Sequence, residues 1–207
     1  ASYGLDVPET INLADEQAAS LAARRDYVVK PVFSCSGRGV RFFKKGNPLP
    51  ARSNEEPEIV QARVTGELYS TFSIAHSGVT RGTVIYRAVM MSGTTAVSFK
   101  RIPEHAAIET WGDRFIAASG YTGFISFDII MDADGRAFAI ECNPRATSGV
   151  HFLTTEDIAP AVVESRSTMK PRFKSNRLMQ QFYPCLTETQ KSLFDRQRFR
   201  NNLRHLF

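Results

Sequence analysis

Asp128, Glu141 and Asn143 are the residues whose types and spacing most readily do chemistry together. They lie in FISFDIIMDADGRAFAIECN, residues 124–143. This is two β-branched and aromatic runs around Asp132-Ala133-Asp134-Gly135, a strong hairpin signal. If the turn closes within Asp132–Gly135, Asp128 faces Ala139 across the hairpin. Side chains alternate along a strand, so Ala139, Glu141 and Asn143 share a face with Asp128. Glu141 then sits on the diagonal, with a backbone spacing of about 7–8 Å. Ile125, Phe127, Ile129 and Met131 fall on the opposite face, against a core. Carboxylates that interrupt apolar strands need something cationic nearby. Two carboxylates and an amide oxygen are hard ligands that suit Mg2+ or Mn2+, with nucleotide phosphates completing the shell. Salt bridges to Arg145 or Lys100 would meet the same need, and that alternative stays open at this level.

Asn143-Pro144-Arg145-Ala146-Thr147-Ser148-Gly149 follows as a rigid turn and a run of small polar residues. The planar fork of Arg145 suits a transferring phosphoryl group, with a local salt bridge as the plainer alternative. A second constellation is KPVFSCSGRGV, residues 30–40. Its small residues let backbone N–H groups turn toward an anion without Cβ clash. Ser34 and Ser36 add hydroxyl donors beside Gly37 and Gly39, and Lys30 supplies a charge just upstream. Strands on both sides make this a hairpin flap over phosphates, as against a plain β-turn with a solvent-facing lysine. Neither the P-loop pattern nor the GxGxxG dinucleotide pattern is present.

These residues need scaffolds. Ala14–Arg25 has helical composition, and Tyr27–Phe33, Val40–Phe43 and Glu58–Val64 read as strands. Leu68–His76 and Val79–Met91 read as strands around a Ser77-Gly78 turn, and residues 92–103 as a loop. Ala106–Ser119 has helical apolar spacing, with Gly120 as a C-cap. Glu156–Ser165 is a short helix. Thr187–Phe207 is a basic amphipathic helix offering Leu193, Phe194, Leu203 and Leu206 to one face. The order of elements is α+β and lacks the strand–helix alternation of a doubly wound sheet.

Composition narrows the classes. With 43% hydrophobic and 23% charged residues, the 207-residue chain is ordinary for a soluble globular protein. No apolar run nears the roughly 18 residues of a membrane span. Cys35, Cys142 and Cys185 are too few and scattered for a disulfide framework or a zinc site, which fits a reducing cytoplasm. Residues 1–165 carry 16 basic and 19 acidic residues, while 166–207 carry 10 and 2. The basic tail lacks an aromatic RNA-binding signature and zinc ligands, which argues against nucleic acid as a partner.

Taken together, these residues resemble the ATP-grasp superfamily over about residues 1–155. D-alanine–D-alanine ligases, biotin carboxylases and carbamoyl phosphate synthases share an acidic residue followed by E-x-N at similar spacing. The NPR form here is similar to the carbamoyl-phosphate-synthase branch. The resemblance implies an ATP-grasp fold of two α+β subdomains whose antiparallel sheets clasp the nucleotide. These would be a flap subdomain at about 1–60 and a metal-binding subdomain at 61–165, with 166–207 a basic helical segment. It also implies ATP with two Mg2+ ions held by Asp128, Glu141 and Asn143. Arg145 would meet the γ-phosphate or acyl phosphate, and Lys30 the α/β-phosphates beneath the Ser34–Gly39 flap. Adenine would be read by the hinge Val60-Gln61-Ala62-Arg63-Val64, chiefly Gln61, Ala62 and Val64, and the ribose held by Glu67. Arg87, Lys100 and Arg101 lie on or after a strand that faces the site in the family. The implied activity joins a small-molecule carboxylate to an amine or similar nucleophile through an acyl phosphate, with homo-oligomers left open. The family's first nucleotide-binding lysine and its preceding α/β domain would lie before residue 1, which suggests a piece of a longer protein. An ATP-binding module without ligase activity is the competing reading.

Overall fold

The computed structural model describes residues 3–33, 37–52, 56–163 and 170–205. The chain divides into two units, one of residues 7–65 and one of residues 1–6 with 66–207.

In the smaller unit a helix and a sheet seal each other's apolar face. Strands β1 (Thr10–Asn12), β2 (Tyr27–Pro31), β3 (Arg41–Phe43) and β4 (Glu58–Ala62) form an antiparallel sheet in the order β1-β4-β2-β3. Helix α1 (Gln17–Arg24) buries Ala18, Leu21 and Ala22 against Tyr27, Val29, Val60 and Ala62. Those strand positions alternate, so Val28, Lys30 and Gln61 project from the other face. The helix begins later than its composition suggests. Asn12 Oδ1 accepts from the Ala14 amide and Asp15 Oδ1 from the Gln17 amide. These local bonds hold a turn in competition with helix.

The larger unit is built on β5 (Glu67–His76), β6 (Val79–Ser92), β7 (Thr95–Ile102), β8 (Gly123–Met131), β9 (Ala137–Asn143) and β10 (Leu178–Gln180). They form an antiparallel sheet in the order β10-β7-β6-β5-β8-β9. Strand β7 replaces the loop expected at 92–103. Its Thr95–Ile102 run pairs with β6 through Met91↔Ala96 to Ile85↔Ile102. A turn at Gly93 with φ +60 closes that hairpin.

Each sheet face is covered. Helix α2 (Ala106–Ser119) ends at Gly120 in the left-handed region, the expected C-cap. It buries Ile108, Trp111 and Ile116 against Ile125, Phe127 and Ile129. Trp111 meets Phe127 edge-on at 5.0 Å between ring centroids. Burying each such side chain contributes about 1.5–3 kcal/mol. Within α2, a Cβ placed on Gly112 would meet no atom within 4 Å. Gly112→Ala is therefore expected to stabilise by about 0.5–1 kcal/mol through helix propensity alone. Thermal unfolding would register this as a higher midpoint; a lower one would mean α2 is strained there.

The opposite face carries Phe72, Ile74, Val84 and Tyr86, packed against Phe152, Leu153 and Ala161. The last three come from a 3-10 helix (Ser148–Phe152) and its exit, and from α3 (Thr155–Val163). Asp157 of α3 is buried and grips Arg172. Its Oδ2 accepts from Arg172 N and Nε at 2.9 Å each, and Oδ1 from Nη2 at 3.0 Å. The Arg172 side chain, then its amide, hold this carboxyl below its usual range. A carboxyl with a lowered folded pKa stabilises fully above the unfolded value of about 3.9 and less as pH falls through the folded one. Asp157→Asn is expected to lower stability at neutral pH and to flatten the loss between about pH 5 and 3. Melting curves across that range check this, and parallel acid limbs for the two proteins would contradict it.

The tail is two helices, where one was expected. Helix α4 (Phe182–Lys191) ends where Ser192 Oγ donates to Thr189 O at 2.7 Å. Helix α5 (Arg196–Leu203) restarts under Asp195, which accepts from the Arg198 amide at 3.0 Å. The expected apolar face is also wrong. Leu193, Phe194 and Leu203 are exposed, whereas Cys185, Glu188, Thr189 and Asn202 are buried. Glu188 organises that inner side, accepting from Ser92, Lys191 and Arg198. Leu206 lies outside the described residues. Among the described residues no helix is long and apolar enough to cross a membrane.

Candidate functional site

The β8–β9 hairpin closes through Asp132, whose amide donates to Arg136 O at 3.0 Å. Its Oδ1 accepts from the Asp134 and Arg136 amides, which folds the turn onto its own side chain. The register differs from the simple one. Ile129 pairs with Ala139, but Asp128 pairs with Glu141, with an irregularity between Asp128 and Ile129. One extra residue, Ile140, therefore bulges from β9. A bulge reverses the side-chain alternation beyond it. Ala139 joins the core under α2 and does not share the face of Asp128. Glu141 stands directly opposite Asp128 instead of on the diagonal. Directly opposed Cβ atoms are about 4.5–5.5 Å apart.

Asp128, Glu141 and Asn143 are each half-buried on that face, and Arg145 is exposed. Ser70 Oγ donates to Asp128 Oδ1 at 2.6 Å. Asn143 Nδ2 donates to Glu141 Oε1 at 2.8 Å. Arg145 donates to Asn143 Oδ1 at 3.3 Å and to Ala146 O at 3.2 Å. Beneath them, Ser126 and Tyr86 reach Thr147 at 2.9 Å each. Burial, first of all, pushes the Tyr86 phenol up, and the Asp128 charge adds to this. Cys142, between Glu141 and Asn143 in sequence, is exposed over part of its surface, yet partial desolvation and then the Glu141 charge push its thiol up, away from nucleophilic thiolate.

Like charges directly opposed on a sheet repel. A hard dication between them relieves that repulsion, and the Asn143 amide oxygen is a third donor of the same kind. The donor set therefore fits Mg2+ chemically. Among the described residues, no three His, Cys, Asp or Glu side chains form a metal-holding group; the set is two carboxylates and an amide.

The other expected residues fall elsewhere. Glu67 follows the alternation of Tyr69, on the α2 face of the sheet and not the face of Asp128. It accepts from Tyr69 OH at 2.6 Å and pairs with Arg87 at 3.8 Å. Lys100 is opposite Arg87 on β7. Arg101 lies over the Phe173 ring at 4.6 Å, packed into the tail.

Within the smaller unit, Lys30 pairs with Ile59 across the β2–β4 ladder. Gly37 and Gly39 have φ +67 and +77, and a Cβ on Gly39 would come within 2.9 Å of the Pro31 ring. The flap turn needs glycine there for both reasons. Ser34, Cys35 and Ser36 lie outside the described residues. Gln61 is buried and its Nε2 donates to Thr10 Oγ1 at 2.9 Å. Ala62 is buried and Val64 half-buried at the end of the same segment.

Ser70, Tyr86, Ser126 and Thr147 were missed as site residues. Ser126 was open to detection, because it is two residues before Asp128 and shares its face. Thr147 is two residues after Arg145 in the same loop, and Ser70 and Tyr86 are brought in from β5 and β6.

The model of the ATP-grasp domain family matches residues 2–149, well over half of the chain. The chain belongs to that family, and its antiparallel sheets with flanking helices form the α+β ATP-grasp fold. No curated protein matches it. Among solved structures, N5-carboxyaminoimidazole synthetase from Staphylococcus aureus complexed with ADP aligns with a TM-score of 0.63 at 11% identity, covering 94% of this chain and 57% of that one. The biotin carboxylase domain dimer of 2-oxoglutarate carboxylase from Hydrogenobacter thermophilus, in complex with MgADP, ADP and bicarbonate, gives 0.61 at 15%, covering 84% and 46%. The ATP-grasp ligase PsnB, complexed with minimal precursor, Mg and ADP, gives 0.53 at 22%, covering 71% and 47%. This chain spans about half the length of the structures it matches.

Proposed function

We propose that this chain forms the nucleotide-binding part of a Mg-dependent, ADP-forming ligase that joins a carboxylate to an amine or similar nucleophile. The observation that carries this reading is the gathering of Asp128, Glu141, Asn143 and Arg145 on one sheet face of an ATP-grasp domain. Asp128 and Glu141, with Asn143, would hold Mg2+. The metal, when bound, neutralises charge on the phosphates and orients them for in-line transfer.

Ser70 fixes the rotamer of Asp128, and Asn143 that of Glu141, so both carboxylates are oriented in advance. Arg145 meets the phosphoryl group as negative charge develops on it. Lys30 and the amides around Gly37 and Gly39 bind phosphate oxygens, and the Gln61–Val64 backbone reads adenine. A substrate carboxylate oxygen then attacks the γ-phosphorus, the bond to the β-bridging oxygen breaks, and ADP leaves. The amine nitrogen attacks the acyl carbon of the resulting acyl phosphate. The carbon–oxygen bond to phosphate breaks, and inorganic phosphate departs with the amine proton lost to solvent. Positioning and charge neutralisation supply most of such catalysis.

The test is Mg·ATP titration by calorimetry, together with ADP release across a panel of small acids and amines. Saturable Mg-dependent ATP binding and acid-dependent ADP release support the ligase. Binding with no ADP release across the panel favours a nucleotide-binding module, and absence of Mg·ATP binding rejects the site.

A further inference from the structure

The loop that carries Arg145 is tied to the sheet by a row of three hydroxyls. Ser126 Oγ lies 3.2 Å from Arg145 O and 2.9 Å from Thr147 Oγ1. Tyr86 OH lies 2.9 Å from the same Thr147 oxygen. A carbonyl only accepts, so the single Ser126 proton goes to Arg145 O. Thr147 must then donate to Ser126, and Tyr86 to Thr147. The row runs one way, from Tyr86 through Thr147 and Ser126 to the Arg145 backbone, and each hydroxyl donates once. Its origin is rigid: Tyr86 is 4% exposed, with its ring between Phe99 at 5.6 Å and Phe152 at 6.1 Å. Ser126 is 3% exposed. At the other end, the Arg145 guanidinium is in solvent beside Asn143.

We infer that Thr147 is a positioning residue. Resting on the ligase reading of the same site, its hydroxyl couples the Tyr86 anchor to Ser126 and so holds the Arg145 backbone where the guanidinium reaches the terminal phosphate. A flexible arginine loses entropy on binding an anion, and a fixed backbone reduces that loss. The benefit falls on the phosphate that Arg145 touches. Thr147 thus tunes the preference for ATP over ADP and leaves the rest of the nucleotide contacts alone.

Thr147→Val keeps the shape of the side chain and removes the central link; Thr147→Ser keeps the link; Tyr86→Phe removes its origin. The full chain is titrated with ATP and with ADP at saturating Mg2+, alongside thermal unfolding. Thr147→Val and Tyr86→Phe are expected to weaken ATP binding about tenfold, the scale of one lost charge-assisted contact, and to leave ADP within about twofold. Thr147→Ser is expected to match the unaltered protein for both. Equal weakening of ATP and ADP, or undiminished ATP binding, overturns the inference. Should Thr147→Val not fold, Tyr86→Phe and Thr147→Ser decide the matter. Failure of the unaltered protein to bind either nucleotide rejects the ligase reading itself, a result distinct from loss of the ATP preference alone.

Discussion

Replacing Asp128 with Ala is expected to abolish Mg-dependent nucleotide binding while leaving the fold intact, and Glu141→Ala is expected to do the same. Changes beyond the ligand shell of a metal typically cost 10–100-fold, so loss of a ligand itself should exceed about 100-fold. The stability side follows from the register. Asp128 and Glu141 stand directly opposite each other, so removing either relieves a like-charge pair. What is lost is one charge-assisted hydrogen bond, from Ser70 or from Asn143, worth about 1.5–3 kcal/mol and partly offset by that relief. The melting temperature without ligand should therefore move by only a few degrees. The added stability on titrating Mg·ATP is about 2.7 kcal/mol at a hundredfold excess over Kd, and it should vanish in both variants. Thermal shift measurements with and without Mg·ATP read both quantities. An undiminished Mg·ATP shift in either variant would falsify the metal assignment.

The largest effect on stability is expected at Gly66, immediately before β5. A Cβ there would fall inside the Met131 carbonyl group and press on Ile130. The obstacle is backbone at the end of β8, where Met131 is paired on both sides, with Glu67 of β5 and Ala137 of β9. The conflict cannot be relieved by rotating a side chain; β5 and β8 must separate. Overpacking of this kind typically costs 1–3 kcal/mol, and Gly66→Ala should lie at about 3 or above. For a domain of this size that lowers the melting midpoint by roughly 6–12 °C. The contrast with Gly112→Ala, the same substitution with an open environment and the opposite expected sign, controls for the chemistry of the change. A Gly66→Ala protein that melts within a degree or two of the original would show that β5 can shift away from Met131.

The hairpin that presents Asp128 and Glu141 was legible because its two strands are β-branched, aromatic and alternating, and its turn carries Asp and Gly at the right places. Helix α2 was legible from its spacing and its terminal glycine. The bulge at Ile140 was not, because it is decided by how Ala139 packs under α2 and how Glu141 meets Asp128, neither of which is local. Strand β7 was hidden because Ser92-Gly93-Thr94 reads as the start of a loop, and β10 because a run of three residues has no period. The tail was misread because Leu193 and Phe194 suggested an apolar face, while burial there falls to Glu188 and Asn202, whose polar groups find partners on β6 and within the tail.

The sequence by itself determined which residues make up the candidate site: the acid, the E-x-N and the arginine after it, the flap glycines, and the strands and helix that carry them. Those features follow from side-chain chemistry and from periods of two and 3.6 residues, which act over a few positions. Tertiary structure alone decided that Asp128 and Glu141 face each other squarely, that Ser70 arrives from 58 residues away to hold Asp128, that Glu67 projects from the other face, and that Tyr86 and Thr147 meet. Register and cross-sheet contact are settled by the packing of whole faces, and a one-residue bulge is enough to reverse which side chains meet.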